Sequence, residues 1–409
     1  MTERDSRPTG RPLDGVRILA LEQMQALPFA TQLLARLGAD VVKVEPIKGG
    51  DSGRGSLPAM AAPDGRMVGA TFLRNNLGKR SICVDLKNPR GRDLVLRLAP
   101  RFDVIAENSR AGAMARLGLG YGDIAAVHPA GIYVSVSGFG NTTETPYRNW
   151  PAFAPIVEAM SGIYEMKREG DSPPTVAPVG ALGDIGAALF ATIGILAALR
   201  HREATGTGQY VDIAMYDSVL AMTDIVTNFW SMGQRGGALG PLIMNGFRAR
   251  DGWFVLQVAR EQHFARLVEL IGYPEWTSDP RFATRQGWVD HLDDVLRPAI
   301  ETWAADRTKL EACAALGAAG IAAGPSFTDE EVVADPHVAA RGMLVAIPRT
   351  DGVTQPVLVP GNPVRMSAVA ANSDTPPPWL GQHTADVLTA ELGLTATEIE
   401  SLCADGVIA

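Results

Sequence analysis

Apolar residues in the first half of the chain fall into short, nearly unbroken runs separated by longer segments with helical spacing. Gly15 to Leu21, Ala39 to Glu45, Ser81 to Leu86, Phe102 to Asn108 and Ile132 to Ser137 are runs of strand length, as expected of strands covered on both faces. Between the first two, Pro28 to Leu37 has a proline in its first turn and is followed by Gly38, which predicts a helix with a sharp stop. Pro89 to Leu98 repeats that pattern. Strand, helix and strand in this order predict a right-handed crossover and a parallel, Rossmann-like α/β sheet. The first turn, Glu22 to Pro28, lacks G-x-G-x-x-G, so a dinucleotide pyrophosphate has no glycine cradle there. Polar or glycine-rich turns follow several strands, as at Asn108 to Gly112 and Gly138 to Gly140. Such turns either rim a ligand site or only close the chain, and the pattern leaves both uses open.

One stretch departs from this rhythm. From Ile185 to Leu199 the only polar side chain is Thr192, and a helix apolar on every face belongs in the middle of a domain. With Gly186 and Gly194 inside it, the stretch is short for a membrane span and reads as protein core. Asp184 stands where this helix is predicted to start, after Gly180-Ala181-Leu182-Gly183. Two readings fit: a helix N-cap, or a reactive carboxylate at the positive end of a buried helix.

The second half predicts a strand at Tyr210 to Met215, a helix from about Tyr216 to Trp230, and a glycine-rich loop, Gly233 to Pro241. Trp253 to Ala259 follows as a strand, His263 to Gly272 and three more segments as helices, and Thr384 to Leu392 with Ala396 to Ala404 as a helical pair. At 409 residues the chain exceeds one ordinary core. The organisation expected is a tail over 1–14, a large domain over 15–230, a linker over 231–243, a small domain over 244–345 and a returning segment over 346–409. A net charge of −8 without a Lys/Arg block argues against nucleic acid or a membrane as partner. Cys83, Cys313 and Cys403 are too scattered for a disulfide framework or a metal spacing. The polar start, Met1 to Pro8, carries no apolar export signal. A cytoplasmic protein without a metal is the expectation.

Four segments in fixed order carry a resemblance: Leu33 to Pro46 (LLARLGADVVKVEP), Asn75 to Lys87 (NNLGKRSICVDLK), Gly183 to Arg200 (GDIGAALFATIGILAALR) and Thr205 to Asp217 (TGTGQYVDIAMYD). Together they are similar to the class III CoA-transferases of the CaiB/BaiF type, which include formyl-CoA and carnitine CoA-transferases, and whose fold the α-methylacyl-CoA racemases share. The resemblance implies a Rossmann-like large domain built from both chain ends, a smaller α+β domain, and an interlocked homodimer. It implies coenzyme A or acyl-CoA as substrate, a small carboxylic acid as the other substrate, and no tightly bound cofactor. It assigns the nucleophile to Asp184, which near its usual pKa of ~3.9 is ionised without a partner base. CoA contacts fall by position on Gln25 and Ala26, on Val84, Asp85, Leu86 and Lys87, and on Asn108, Ser109 and Arg110 with Arg116 beyond. Gly236 and Gly237 match a loop that keeps water from the acylated enzyme; a plain linker is the alternative.

The chain also departs from the family pattern. Leu27 replaces a glycine in the first turn and is expected to reshape the acyl pocket. Pro46 stands where a basic residue is often found, with Lys48 or Arg54 as substitutes, and Phe153-Ala154 replaces an aromatic–acid pair. A racemase of this fold needs a histidine at Phe153 for proton transfer, and no histidine occurs between His128 and His201. The main reading is CoA transfer through aspartyl anhydride and aspartyl-CoA thioester intermediates. A racemase-like isomerase and a non-catalytic CoA-binding paralogue are the alternatives.

Overall fold

The computed structural model describes residues 10–165, 168, 170–176, 181–223, 225–234, 240–367, 369 and 374–409. The chain divides into two compact units, one combining the part up to Met232 with Arg341–Ala409, the other spanning Gly233–Ala340.

In the first unit, β1 (Arg17–Leu21), α1 (Ala26–Arg36), β2 (Asp40–Glu45) and β3 (Arg80–Cys83) lead through α2 (Pro89–Leu98) to β4 (Val104–Glu107) and β5 (Ile132–Ser137). After α3 (Ala154–Met160) and α4 (Leu182–Thr205), β6 (Tyr210–Ala214) completes the sheet and α5 (Met215–Ala221) follows. The six strands lie in the order β3-β2-β1-β4-β5-β6, every pairing parallel. This is the doubly wound order in which the direction of winding reverses between β1 and β4, and the crevice at that reversal is where such sheets hold ligands. Strands β1, β4 and β5 are buried along their whole length, which is why their apolar runs are so nearly unbroken.

Short breakers set the helix ends. Asn88 caps α2 through a bond from the Arg90 N–H, with Pro89 at the first position, and Gly206 takes up a left-handed φ of 73° to end α4. Helix α4 is 24 residues long, and long and apolar enough to cross a membrane by length and composition only, so the sequence expectation of a shorter helix is corrected. Ala187, Ala188, Ala191, Ile195 and Ala198 put one of its faces in a core with Leu27, Ala30 and Leu34 of α1 and Val134 and Val136 of β5. Small residues on that face let the helix lie close to the sheet. The opposite face is open, with Leu189, Ile193 and Leu196 exposed by 44%, 60% and 37%. The expectation that this helix is covered on all sides is therefore also corrected, as is the long helix to Trp230: α5 ends at Ala221, and a separate π-helical turn covers Ile225–Phe229.

The second unit contains a three-stranded antiparallel sheet, β7 (Ile243–Ala249), β8 (Gly252–Val258) and β9 (Ala322–Pro325), in the order β9-β8-β7. Helix α6 (Glu261–Leu270) and the segments after it pack Phe264, Trp276, Phe282, Trp288 and Leu296 against Phe247 and Phe254. Strand β7 is an addition to the sequence expectation. Polar Asn245 and Arg248 interrupt its apolar residues, as the alternation of a half-exposed antiparallel strand requires.

The last stretch, with α7 (Thr384–Leu392) and α8 (Ala396–Ala404), belongs to the first unit. Arg17 on β1 makes a two-point ion pair with Glu391, and Arg36 on α1 does the same with Asp374 at 2.8 and 3.1 Å. Asp85 donates its N–H to Val407 O at 2.9 Å.

Candidate active site

The turn after β1 is held in an unusual shape. Met24 has φ 63°, the only positive φ outside glycine among the described residues, and a left-handed side-chain-bearing residue marks a conformation imposed by its surroundings. The imposing groups are visible. Asp51 Oδ1 accepts from Met24 N at 2.8 Å and from Gly53 N at 2.7 Å, while its other oxygen lies 2.7 Å from Lys43 Nζ. Lys79 Nζ donates to Glu22 Oε1 at 2.6 Å, to Asn76 Oδ1 at 2.9 Å and to Pro28 O at 2.8 Å. Arg54 grips both oxygens of Glu45 at 2.7 Å. Three buried carboxylates, Glu22, Glu45 and Asp51, thus face three buried cations, Lys43, Arg54 and Lys79. Burial, the larger effect, holds the Lys79 ammonium down at about 8, whereas for Glu45 burial, the largest single effect, is outweighed by Arg54, Lys43 and Ser81 together, which hold its pKa below the usual range. Of the two substitutes named for a basic residue at Pro46, Arg54 is buried and paired with Glu45, and Lys48 is exposed.

The turns on the two sides of the reversal are zipped together. Gln23 N donates to Asn108 Oδ1 at 2.9 Å, and Asn108 Nδ2 returns a bond to Gln23 O at 2.8 Å. Gln25 occupies the N-cap position of α1 without a side-chain cap bond, and Ala26 is the first helical residue. Ser109 N donates to Glu107 Oε2 at 2.7 Å, and burial pushes the Glu107 carboxyl up to about 7 against that bond. Gly112 N donates to Asn141 Oδ1, and Asn141 N to Asp212 Oδ2 at 2.7 Å, tying the turns after β4 and β5 to β6. Arg110 and Arg116 are exposed beside this rim. The Val84–Lys87 segment leaves the same, carboxyl end of the sheet from β3. Val84 N donates to Glu45 O and Asp85 N to Val407 O, so these two N–H groups are engaged within the fold. Leu86 O accepts from Arg92, and Lys87 is exposed.

Asp184 reaches that end of the sheet from below. Helix α4 ends four residues before β6 begins, so it runs antiparallel to the strands and starts at their carboxyl ends. Its 24 residues span about 36 Å, roughly twice the length of the strands beside it, so its first turn overshoots the sheet. The helix begins at Leu182 with Ala181 as N-cap. Asp184 is thus its third residue rather than the cap, and the capping reading is set aside. Gly183 packs closely on α3: a Cβ there would meet Val157 Cγ2 at 2.7 Å and Ala154 Cα at 3.2 Å. Ala154, the departure from the family's acid, lies at this close approach to Gly183.

Glu158, one turn along α3, is the feature that sequence reasoning missed. Its Oε1 accepts from Gly183 N at 2.9 Å, and Tyr164 OH donates to its other oxygen. Burial first, and the Glu158 charge second, push Asp184 up to about 6. No hydrogen bond from the described residues offsets this. The expected ordinary carboxylate pKa is corrected accordingly. Leu27, expected at an acyl pocket, is fully buried in the core beside Leu34, because α1 turns it inward. Phe153 begins α3 and is largely exposed. Gly236 and Gly237 lie outside the described residues. Among the described residues no three His, Cys, Asp or Glu gather as a metal site.

The sheet is parallel, with a ligand crevice at its strand reversal and no glycine cradle there, and α4 carries the Asp184 carboxylate in its first turn. Residues 13–384 match the model of CoA-transferase family III, and the chain belongs to that family of CoA-transferases. It is 38% identical to succinyl-CoA–D-citramalate CoA-transferase of Chloroflexus aurantiacus over 97% of this chain and 98% of that one. It is 36% identical to succinate–glutarate CoA-transferase of Agrobacterium fabrum over 93% and 96%. A CaiB/BaiF family protein from Brucella suis superposes with a TM-score of 0.81 at 32% identity, covering 93% of this chain and all of the other.

Proposed function

We propose that this chain moves coenzyme A from an acyl-CoA donor to an organic acid, with Asp184 as the nucleophile. The observation that carries the reading is Asp184 itself, partly buried and without a hydrogen bond from the described residues at the head of α4, in a chain that belongs to a CoA-transferase family. Its carboxylate attacks the thioester carbonyl, the C–S bond breaks, and CoA thiolate leaves a mixed anhydride on the enzyme. The thiolate then attacks the aspartyl carbonyl, giving an aspartyl-CoA thioester and releasing the donor acid. The acceptor carboxylate attacks that thioester, and the freed thiolate takes the acceptor's acyl group from the second anhydride, regenerating Asp184. Gln25, Ala26, Asn108 and Ser109 at the strand reversal, with Leu86, Lys87, Arg110 and Arg116 at the rim, are proposed to hold CoA. Gly236 and Gly237 are proposed to exclude water from the intermediates.

The names of relatives supply the first donors to test: succinyl-CoA from the Chloroflexus protein and formyl-CoA from a Streptomyces avermitilis formyl-CoA:oxalate CoA-transferase 34% identical to this chain. A second copy of this chain is proposed to cover the exposed Leu189-Ile193-Leu196 face of α4, giving a homodimer. Three unpaired cysteines fit a cytoplasmic setting.

The test incubates the protein with succinyl-CoA, formyl-CoA and acetyl-CoA in turn, traps with hydroxylamine, and locates the modified peptide by mass. Modification at Asp184, lost together with turnover in Asp184→Asn, is the expected result. Turnover undiminished in Asp184→Asn overturns the reading, and α-proton exchange without modification favours the isomerase. Because Asp184 titrates near 6 and reacts as the anion, the single-turnover rate is expected to fall about tenfold per pH unit below that point. A rate flat from pH 7 to pH 5 contradicts the assignment.

A further inference from the structure

The geometry points to Glu158 as a positioning residue for this reaction. Clamped from both sides at the start of α4, its carboxylate fixes the turn that carries Asp184 and sets against it a like charge that is relieved whenever Asp184 is acylated. The inference rests on the transferase reading above and adds to it a device for driving acylation.

The clamp comes first. Glu158 is buried, with one oxygen on the Gly183 N–H and the other on the Tyr164 hydroxyl. The Gly183 N–H is one of the first-turn donors that no helix can satisfy internally. By taking it, Glu158 fixes the residue before Asp184 and uses up a donor that a nearby carboxylate would otherwise compete for. Tyr164 is buried as well, and its hydroxyl, pushed up to about 12 by burial and by this bond, stays protonated and donates. The carboxylate thus has a fixed place.

The charge comes second. Of the elements packed on α4, α1 carries Arg36, committed to Asp374. Strand β5 carries Tyr133, bonded to Leu119 O; β6 carries Tyr210, bonded to Ser135, and Asp212, bonded to Asn141 and Thr142. Helix α5 carries Tyr216 and Asp217, the latter raised by burial and Asp212. Helix α3 carries Glu158, and among the described residues it is the charge that acts on Asp184. A carboxylate that repels a neighbouring carboxylate destabilises the free nucleophile but not its neutral anhydride or thioester. Repulsion in the resting enzyme therefore favours the covalent intermediates, and it makes the Asp184 anion more basic and a better nucleophile.

Glu158→Gln separates charge from clamp, because an amide oxygen still accepts from Gly183 N while the charge is gone. The measurement is the single-turnover rate of Asp184 acylation by succinyl-CoA, formyl-CoA and acetyl-CoA from pH 4 to pH 8, with the fraction of Asp184 trapped by hydroxylamine. For the unsubstituted protein the acid limb is expected near pH 6. In Glu158→Gln it is expected to move part of the way toward the ordinary carboxylate value, since burial remains, and the trapped fraction to fall severalfold. A slower variant whose acid limb and trapped fraction are unmoved makes Glu158 merely structural and overturns the inference while leaving the transferase reading intact. So does an unsubstituted enzyme whose limb lies near pH 4, a result that needs no variant to fold. An unsubstituted protein that takes no label at Asp184 from any of the three thioesters removes both readings.

Discussion

At Asp184 the fold and the proposed chemistry pull in opposite directions: burial and Glu158 hold the carboxyl up at about 6, while attack on a thioester needs the anion. The opposition has a measurable consequence for stability. A pKa raised in the folded state means that the native protein binds this proton more tightly than the unfolded chain does. The resulting stabilisation is complete below the unfolded value of ~3.9 and is lost as pH climbs through about 6. Above that point an ionised Asp184 costs at most ~3 kcal/mol. Asp184→Asn keeps the shape and removes the titration, so it is expected to be the more stable protein at pH 8, with the difference closing by pH 4. Thermal unfolding followed by circular dichroism at both pH values checks this, and equal Tm values at pH 8 contradict it. A carboxylate whose removal stabilises the fold is what a site kept reactive at the expense of stability would show.

Helices α3 and α4 carry that residue-level tension because they approach closely at Gly183. The Cβ of an alanine there would sit 2.7 Å from Val157 Cγ2, and two adjacent backbones give little in response. Gly183→Ala is expected to push α3 outward, lengthen the Glu158 bond to residue 183, and cut the single-turnover acylation rate by ten- to a hundredfold, with a smaller effect on melting temperature. Stopped-flow acylation beside a thermal melt checks it; a rate within twofold of the unsubstituted protein would show that the approach is not needed. At this scale the sequence is a good guide wherever burial is complete. The strands β1, β4 and β5 read out directly from their apolar runs, and the head of α4 reads out from the change to an apolar segment after Gly183-Asp184. What escapes is whatever depends on residues distant in the chain. Glu158 meets Gly183 across 25 positions, and the ion cage around Met24 draws on Glu22, Lys43, Glu45, Asp51, Arg54 and Lys79 at no regular spacing. Leu27 was misread for a related reason: its place in the motif names a pocket, whereas the rotation of α1 turns it into the core. The pKa of Asp184 was misread because the helix terminus is legible in one dimension and the desolvating neighbours are not.

Across the molecule, the C-terminal segment is locked to the first strands by buried or half-buried ion pairs, Arg17 with Glu391 and Arg36 with Asp374, so the unit bearing Asp184 is closed on that side. It is open on the other. Leu189, Ile193 and Leu196 follow one another at spacings of four and three on α4 and remain exposed, which is the seam of a helix that packs against another apolar surface. The same helix bears Asp184 at its first turn, so whatever covers the seam also restricts movement of Asp184. If the cover is a second copy of this chain, as proposed, a charge at the centre of the seam is excluded by desolvation. Ile193→Glu is then expected to shift the protein from dimer to monomer in sedimentation velocity and to reduce CoA transfer at least tenfold, since a freed α4 no longer holds Asp184 against Glu158. Leu310→Glu, at an equally exposed apolar position in the other unit, serves as the control and is expected to leave both measurements unchanged. A monomeric unsubstituted protein with full activity, or an Ile193→Glu protein that remains dimeric, would place the covering partner elsewhere.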